Sequence, residues 1–340
     1  MTRIKAILFA SLISLQAQAT DWKALPDMAP APSDNPTTSA KIELGKMLFM
    51  DPRFSSTGTI SCNSCHNVME GGDDSRRTSM GVHGKIGGRN APTVWNAAFH
   101  SVQFWDGRAA LLEDQAKGPV ANPIEMGMKD VETAMARVRK IPGYKAVFEK
   151  AFGKNSMTVD NAAKAVAAFE RTLITPNSPY DQYVTGNKKA MNKQQIRGMN
   201  TFAETGCTAC HSGAAFNGPE QKLGEGFYAK FPTFESKYVG KYELDKDKGR
   251  EEATGKSADR GMFRVPTLRN ITDTAPYFHN GSVNDLSEAV RVMAKSQLNK
   301  KLTEKDVNDI VAFLGALTGE YPQITMPRLP ATSGTSIIVE

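Results

Sequence analysis

Apolar side chains recur at helical spacing in two separate parts of the chain. In each part, three apolar residues follow the spacing i, i+3 and i+7, which places them on one face of an α-helix. The two sets are Val166, Phe169 and Leu173, and Ile310, Phe313 and Leu317. A third amphipathic segment, "EAVRVMAKSQ", places Ala289, Val290 and Met293 on one face. The pattern predicts an all-α fold with polar loops between the helices.

These helices belong to a longer internal repeat. The matched segments are Gly45–Phe49 and Gly198–Phe202, "APTVWN" (91–96) and "VPTLRN" (265–270), and "FWDG" (104–107) and "FHNG" (278–281). The last two pairs are displaced by the same 174 positions. A long repeat indicates one structural unit made twice. The sequence therefore predicts two small helical domains in tandem, with long loops and an interface between them.

Each half contains one copy of the motif Cys-x-x-Cys-His. The copies are Cys62, Cys65, His66 and Cys207, Cys210, His211, and they use all four cysteines of the chain. Two thiols at this spacing, followed at once by an imidazole, are typical of covalent c-type haem attachment, with the histidine as the proximal iron ligand. A redox-active disulfide would be expected in a βαβ setting, and a shared zinc site would not need both histidines. The motifs predict two c-type haems.

The two halves differ at the position of a second axial ligand. Met293 can supply a thioether to haem iron, although methionine is more often a core residue. The residue 174 positions earlier is Pro119, which cannot bind iron. The first half also has a longer segment after "FWDG", and this segment carries Gln115 and Glu125. The second half is therefore predicted to transfer electrons and the first to perform chemistry, unless Glu125 is an ordinary surface carboxylate.

Three further histidines remain. His83 lies in the glycine-rich loop "SMGVHGKIGG", where it is either a displaceable iron ligand of the first haem or a solvated loop residue. His279 occupies the repeat position of Trp105 and is a candidate for the edge of the second haem. His100 is interpreted as structural or exposed.

The first residues resemble a secretory signal peptide. Arg3 and Lys5 precede the short apolar run "AILFASLISL", and "QAQA" supplies a small-residue cleavage site after residue 19. Cleavage of residues 1–19 would lower the formal net charge from +6 to +4, because it removes two cations. No later segment is apolar enough to span a membrane. Scattered basic residues give no support to nucleic-acid binding. The expected location is the periplasm.

The chain resembles the bacterial dihaem cytochrome c peroxidases from about residue 36 to residue 322. The stretches that carry the resemblance are "CNSCHN", "NAPTVWNAAFHSVQFWDGRAALLEDQAKGPVANPIEM", "GCTACHSG", "RVPTLRNITDTAPYFHNG" and "AVRVMAKSQL". The resemblance implies a low-potential peroxidatic haem in the first domain (20–180) and a high-potential electron-transfer haem in the second (181–322). Residues 323–340 are expected to form an extended tail that packs back on the first domain.

The resemblance also implies roles for individual residues. Glu125 matches the acid–base carboxylate of the peroxide pocket, Gln115 its neighbour and His83 the removable sixth ligand. Trp105 matches the tryptophan between the haems. A calcium site between the domains is implied at Asn90, Thr274 and Pro276, where carbonyl oxygens suit this ion.

The implied enzyme is a homodimeric cytochrome c peroxidase that reduces H2O2 with electrons from a small monohaem cytochrome c or a blue-copper protein. Three alternatives remain open. One is a dihaem electron carrier without catalysis. Another is the MauG-like class, which oxidises a partner protein and has tyrosine at the position of Met293. The third is an exported, disulfide-bonded protein without haem. The region 216–259, "FNGPEQKLGEGFYAKFPTFESKYVGKYELDKDKGREEATGKSAD", has no counterpart in the first half and is interpreted as a surface excursion.

Overall fold

The computed structural model describes residues 21–332 and is largely helical. The signal peptide predicted over residues 1–19 lies outside the described residues. The α-helices are α1 (Ser39–Met50), α2 (Cys62–Cys65), α3 (Leu112–Gln115), α4 (Gly118–Ala121), α5 (Val131–Arg139), α6 (Pro142–Phe152), α7 (Val159–Glu170), α8 (Pro179–Val184), α9 (Lys193–Thr205), α10 (Lys237–Tyr242), α11 (Glu251–Thr254), α12 (Leu286–Leu298) and α13 (Glu304–Gly315). Within residues 21–332, no helix is long and apolar enough to cross a membrane.

Two helix crossings of the same kind organise the two halves. Helix α1 packs against α7, and α9 packs against α13. At each crossing a glycine touches the partner backbone: a Cβ on Gly45 would lie 1.9 Å from the carbonyl oxygen of Ala165, and one on Gly198 would lie 1.8 Å from that of Asp309. Any side chain at either glycine would separate the helices. The repeated Gly-x-x-x-Phe motif is therefore a repeated helix contact.

Each crossing has its own hydrophobic core. The first contains Phe49, Trp95, Tyr144 and Phe169, and its buried members all come from residues 44–173. The second is an aromatic cluster of Tyr180, Phe202, Phe216 and Phe313, and its buried members come from residues 180–317. Edge-to-face aromatic pairs such as Tyr180–Phe216, with ring centroids 5.1 Å apart, stabilise the second core beyond simple burial.

Each end of the described chain packs on the half of the molecule that is more distant from it in sequence. Trp22 packs against Tyr180, Phe216 and Phe313 of the second core, although the domain boundaries predicted from the sequence placed it in the first half. The correction has a simple physical reason, since the large indole gains more by joining an aromatic cluster than by remaining in solvent. At the other end, the tail returns to the first half, where Arg53 donates to the carbonyl oxygen of Pro330.

The all-α expectation needs one small correction. Strands β1 (Tyr228–Lys230) and β2 (Met262–Arg264) form an antiparallel pair, with Tyr228 opposite Arg264. The region 216–259, interpreted from sequence as a surface excursion, also contains α10, α11 and buried anchors. Leu244 and Phe231 belong to a third apolar cluster with residues of α12. The region 216–259 is rich in Lys and Glu, so its sequence did not indicate these buried residues. Their burial depends on contacts with segments distant in the chain.

Candidate functional site

Two neighbouring cavities lie at the two Cys-x-x-Cys-His motifs. The first cavity, of about 320 Å³, is lined by Cys65, His66 and residues of the first half. The second cavity, of about 220 Å³, is lined by Cys207, Cys210, His211 and mostly apolar residues of the second half. They share a wall whose residues include Asn90, Pro92, His100, Trp105 and Arg264. The two motifs therefore serve two separate but adjacent sites.

Both motif histidines are held by backbone carbonyl groups. The first motif forms the short helix α2, and the second forms a 3₁₀ turn, Cys207–Ala209. Nδ1 of His66 lies 3.1 Å from the carbonyl oxygen of Pro92, and Nδ1 of His211 lies 3.0 Å from that of Phe216. Burial lowers the pKa of both imidazoles, which keeps them neutral. A neutral imidazole that donates through Nδ1 presents Nε2 as a metal ligand.

The four cysteines form no disulfide, and burial raises the pKa values of their thiols. Burial raises the pKa of Cys62 and of Cys207 to about 12, and that of Cys65 to about 11. Redox-active Cys-x-x-Cys motifs have lowered thiol pKa values instead. The two pairs also lie at different cavities, which does not suit a shared zinc site. Apolar pockets with paired thiols and a neutral histidine fit a covalently attached haem.

The cavities differ at the position of a sixth iron ligand. Helix α12 presents Ala289, Val290 and Met293 to the second cavity, the same face that the sequence pattern predicted. In the first cavity Pro119 lies on the wall and offers no donor atom to iron. The structure thus places the methionine at one site and leaves the other without one.

Glu125 and Gln115 both line the first cavity. Oε1 of Glu125 accepts a hydrogen bond of 2.8 Å from Nδ2 of Asn122. Burial raises the pKa of the Glu125 carboxyl, and the positive charge of Arg108 and the Asn122 bond oppose this effect. A partly desolvated carboxyl with a raised pKa is suited to accepting and returning a proton. The sequence grouped Gln115 and Glu125 in one segment, and the structure brings them to one cavity.

His83 does not line the first cavity in this conformation. It is exposed at the tip of a tight loop, with a left-handed backbone at φ 57°. The base of this loop is docked on the Glu125 segment, because the amide of Val82 donates to the carbonyl oxygen of Glu125 at 2.9 Å. Gly81 is required there, since a Cβ would lie 2.0 Å from the carbonyl oxygen of Ile124. Any movement of the His83 loop therefore affects the Glu125 segment.

The shared wall contains aromatic groups that approach both sites. Nε1 of Trp105 donates to the carbonyl oxygen of Asn90 at 2.9 Å, which fixes the indole between the cavities. Its ring lies 6.4 Å from that of His279, which lines the second cavity. Burial lowers the pKa of His279 to about 4, and its Nε2 has no hydrogen-bond partner among the described residues. A neutral imidazole that faces a cavity with a free nitrogen suits a polar group of a bound cofactor.

Arg264 is a functional candidate that the sequence reasoning missed. The side chain is buried, lines both cavities and has no carboxylate among its hydrogen-bond partners in the described part of the chain. It donates to the carbonyl oxygen of Phe104 and to His100, whose burial fits the structural role among the two that the sequence suggested. Burial lowers the pKa of Arg264 to about 10. An unpaired buried cation is costly, and it fits the carboxylates that a haem carries.

The three residues implied in calcium binding line one cavity. Asn90, Thr274 and Pro276 all line the second cavity, so the first and second halves both contribute. Close by, a Cβ on Gly71 would touch both the carbonyl oxygen of Asp273 and Oδ1 of Asp73. Asp73 is buried, neither carboxylate oxygen has a partner among the described residues, and burial raises its pKa to about 6. This carboxylate, absent from the sequence reasoning, fits the neighbourhood of a cation.

Comparisons with known proteins agree with this geometry. The sequence pattern of the family described as "Di-haem cytochrome c peroxidase" matches residues 39–189. The chain is 43% identical to the cytochrome c551 peroxidase of Nitrosomonas europaea, with 97% of each chain covered. It is 42% identical to the cytochrome c551 peroxidase of Pseudomonas aeruginosa, over 93% of this chain and 89% of the other.

A solved structure extends the likeness to the fold. A MauG-like protein associated with microbial copper homeostasis superposes with a TM-score of 0.75 at 29% identity, over 89% of this chain and 96% of the other. Two cavities, each with one Cys-x-x-Cys-His motif, are what a di-haem protein requires. The chain belongs to the family of di-haem cytochrome c peroxidases and MauG proteins.

Proposed function

We propose that this chain is a periplasmic dihaem cytochrome c peroxidase that reduces H2O2 to water. The observation that carries the proposal is the asymmetry of the two cavities. The first has Glu125 and Gln115 and no methionine, whereas the second has Met293. The relatives named cytochrome c551 peroxidase support the same activity. The overall reaction consumes H2O2, two electrons and two protons and yields two water molecules.

Each site holds one haem in its own cytochrome c-like domain, residues 20–180 and 181–322. Cys62, Cys65 and His66 would hold the first haem. Cys207, Cys210, His211 and Met293 would hold the second, and His279 lines the same cavity. Support for two domains comes from the two separate cores.

The chemistry at the first site depends on the position of a proton. When bound, the first haem would supply the redox chemistry that reduces peroxide. Glu125, held by Asn122, takes a proton from the near oxygen of H2O2 and returns it to the leaving oxygen. The Gln115 amide orients peroxide, because it lines the same cavity and carries no charge. The positive charge of Arg108 opposes the effect of burial on the pKa of Glu125 and so favours the ionised carboxylate.

Electrons enter through the second site and pass toward the first. A methionine ligand raises the potential of a haem, so this site can accept electrons from a mild donor. The proposed donor is a small monohaem cytochrome c or a blue-copper protein. Trp105 lies on the route, since its indole contacts the wall of both cavities. The enzyme is proposed to act as a homodimer.

The His83 loop is proposed to gate the first site. In the resting state His83 would enter the first cavity and block peroxide, and reduction of the second site would release it to the exposed position described above. The bond between the amide of Val82 and the carbonyl oxygen of Glu125 supports this coupling, because it links the loop to the peroxide pocket.

The variant His83→Ala is expected to react with peroxide while fully oxidised, whereas the unmodified enzyme is expected to require prior reduction. Rapid mixing of oxidised enzyme with peroxide, followed by absorbance, measures the difference. Lys85→Ala is the matched control, because Lys85 lies on the same exposed loop. If His83→Ala keeps the dependence on prior reduction, His83 is not the gate.

A calcium ion is proposed between the two halves, bound through Asn90, Thr274 and Pro276. Asp73 would compensate its charge from the neighbouring position. Asp73→Asn is expected to weaken calcium binding by about 10–100-fold, a usual effect of losing a supporting group near a metal. Calorimetric titration of calcium into chelator-treated protein measures this, with Asp74→Asn as a control on the adjacent residue. Equal affinities for the two variants would remove Asp73 from the site.

The principal alternative is a MauG-like enzyme that oxidises a partner protein. The structural likeness to a MauG-like protein supports it. Met293 opposes it, since that class is expected to carry tyrosine at this position. A non-catalytic electron carrier explains both haems but leaves Glu125 and the missing methionine of the first site without a role.

The proposal is tested by peroxide-dependent oxidation of a reduced small cytochrome c. Mature protein with both haems and calcium is assayed before and after one-electron reduction. Turnover only after reduction supports both the peroxidase and the gate, and turnover in both states supports the peroxidase alone. Intact haem spectra without turnover would favour the carrier or the partner-oxidising enzyme.

A further inference from the structure

Glu170, the last residue of α7, is a buried carboxyl that the proposed mechanism does not use. It lines the first cavity and is 5% exposed. Oε2 is buried and has no hydrogen-bond partner among residues 21–332. Burial raises the pKa of the carboxyl to about 8. An unsatisfied buried polar group destabilises a protein, so a compensating role at the cavity is expected.

The internal repeat supplies a direct comparison. Val166 and Phe169 of α7 correspond to Ile310 and Phe313 of α13, which makes Leu314 the counterpart of Glu170. Leu314 lines the second cavity and is 4% exposed. The same position of the same helix therefore faces each cavity, with a carboxyl group at the first and an apolar group at the second.

The charged neighbours leave the carboxyl available to the cavity. Arg171 lowers the pKa of Glu170 through its positive charge, and Glu113 opposes this. One nitrogen of the Arg171 guanidinium is engaged elsewhere, since Nη2 lies 2.8 Å from Oε1 of Glu113, and Nη1 has no hydrogen-bond partner among the described residues. Burial is the main cause of the raised pKa of the Cys62 thiol, and the negative charge of Glu170 is the next largest cause. Glu170 therefore interacts electrostatically with the position where the first haem would be attached.

We propose that Glu170 separates the reduction potentials of the two haem sites by placing a carboxylate beside the first, where the second has Leu314. This inference rests on the presence of the two haems in the proposed function. A negative charge in a site of low dielectric stabilises the more oxidised state of nearby iron, because the attraction is weakly screened. The first site must hold the oxidising equivalents delivered by peroxide. The ionised form of the Glu170 carboxyl, which predominates above its raised pKa, favours the oxidised state of the first haem.

The test is a spectroelectrochemical titration of mature Glu170→Gln protein with both haems attached, run above pH 8 so that the carboxyl of the unmodified protein is ionised. The first haem of the variant is expected to be easier to reduce by at least tenfold in its equilibrium constant, equivalent to 59 mV for a one-electron couple. The second haem, recognised by its methionine-ligated spectrum, should not change. Val166→Ala is the packing control, because it alters the same buried helix without changing charge.

Glu170→Leu reproduces the leucine of the second site and should shift the reduction potential of the first haem in the same direction. It keeps the inference testable if the glutamine variant does not fold. A change of less than threefold in both variants would overturn the inference, as would an equal shift of the two haems or a matching shift in Val166→Ala. The readout is a potential and requires no peroxide. A protein without peroxidase turnover but with the expected shift would therefore refute the proposed activity and still support the role of Glu170.

Discussion

Replacement of Glu125 by glutamine is expected to lower peroxide turnover by about 10²–10⁴-fold, the usual contribution of a positioned general acid–base group. Glutamine keeps the size of the side chain and can still bond to Asn122, which in the native protein donates to Oε1 of Glu125 at 2.8 Å. It cannot take up a proton from peroxide and return it. Steady-state oxidation of reduced cytochrome c measures the loss, while both haem spectra should remain unchanged.

The pH profile provides a second measurement of the same group. Burial raises the pKa of Glu125, and the carboxylate that accepts the proton predominates only above this raised value. Turnover should therefore fall as the pH falls through the raised pKa, and Glu125→Gln should lose this part of the profile. Glu132→Gln is the matched control, because Glu132 is exposed on α5. Full activity of Glu125→Gln would show that another group moves the proton.

Replacement of Asp181 by alanine is expected to lower the free energy of unfolding by about 3–5 kcal/mol, the usual cost of removing one partner of a buried ion pair. Arg269 is fully buried and donates to both carboxylate oxygens of Asp181, at 2.8 and 2.9 Å. Asp181 also accepts from the amide of Leu25 at 2.9 Å. Without the carboxylate, the guanidinium charge would stay buried and uncompensated. Chemical denaturation of the mature protein measures the difference.

The effect of this change should extend to the second haem site. Arg269 also donates to the carbonyl oxygen of Ala214, in the loop that follows the second Cys-x-x-Cys-His motif. Two residues further on, Phe216 presents the carbonyl that holds His211. Glu304→Gln is the control, because it breaks an exposed ion pair with Arg291 and should cost at most about 1 kcal/mol. Similar losses for the two variants would show that the buried pair contributes little to stability.

Much of the site could be predicted because its chemistry is encoded in short, contiguous motifs. The spacing of two cysteines and a histidine is read within five residues, and the helical faces are read within a few turns. The repeat then allowed comparison of the two halves, which exposed the contrast between Met293 and Pro119. The structure places both residues at the cavities, as that comparison required.

Other features could not be predicted because they depend on segments far apart in the chain. Arg264 and Glu170 have ordinary local sequence, and only the packing of distant elements buries them at the cavities. The same holds for Asp73. Its carboxylate is buried without a hydrogen-bond partner among the described residues, near the backbone of the distant Asp273. Trp22 lies far in sequence from the aromatic core that it joins.

The sequence by itself determined the helical class, the two haem-attachment motifs and the inequality of the two halves. Tertiary structure alone decided the environment of each group: the exposed position of His83, the shared wall at Trp105 and Arg264, and the pairing of Glu170 with Leu314 across the repeat. The physical reason is the range of the forces involved. Helical periodicity and motif spacing are local, whereas burial and electrostatic compensation are properties of the assembled chain.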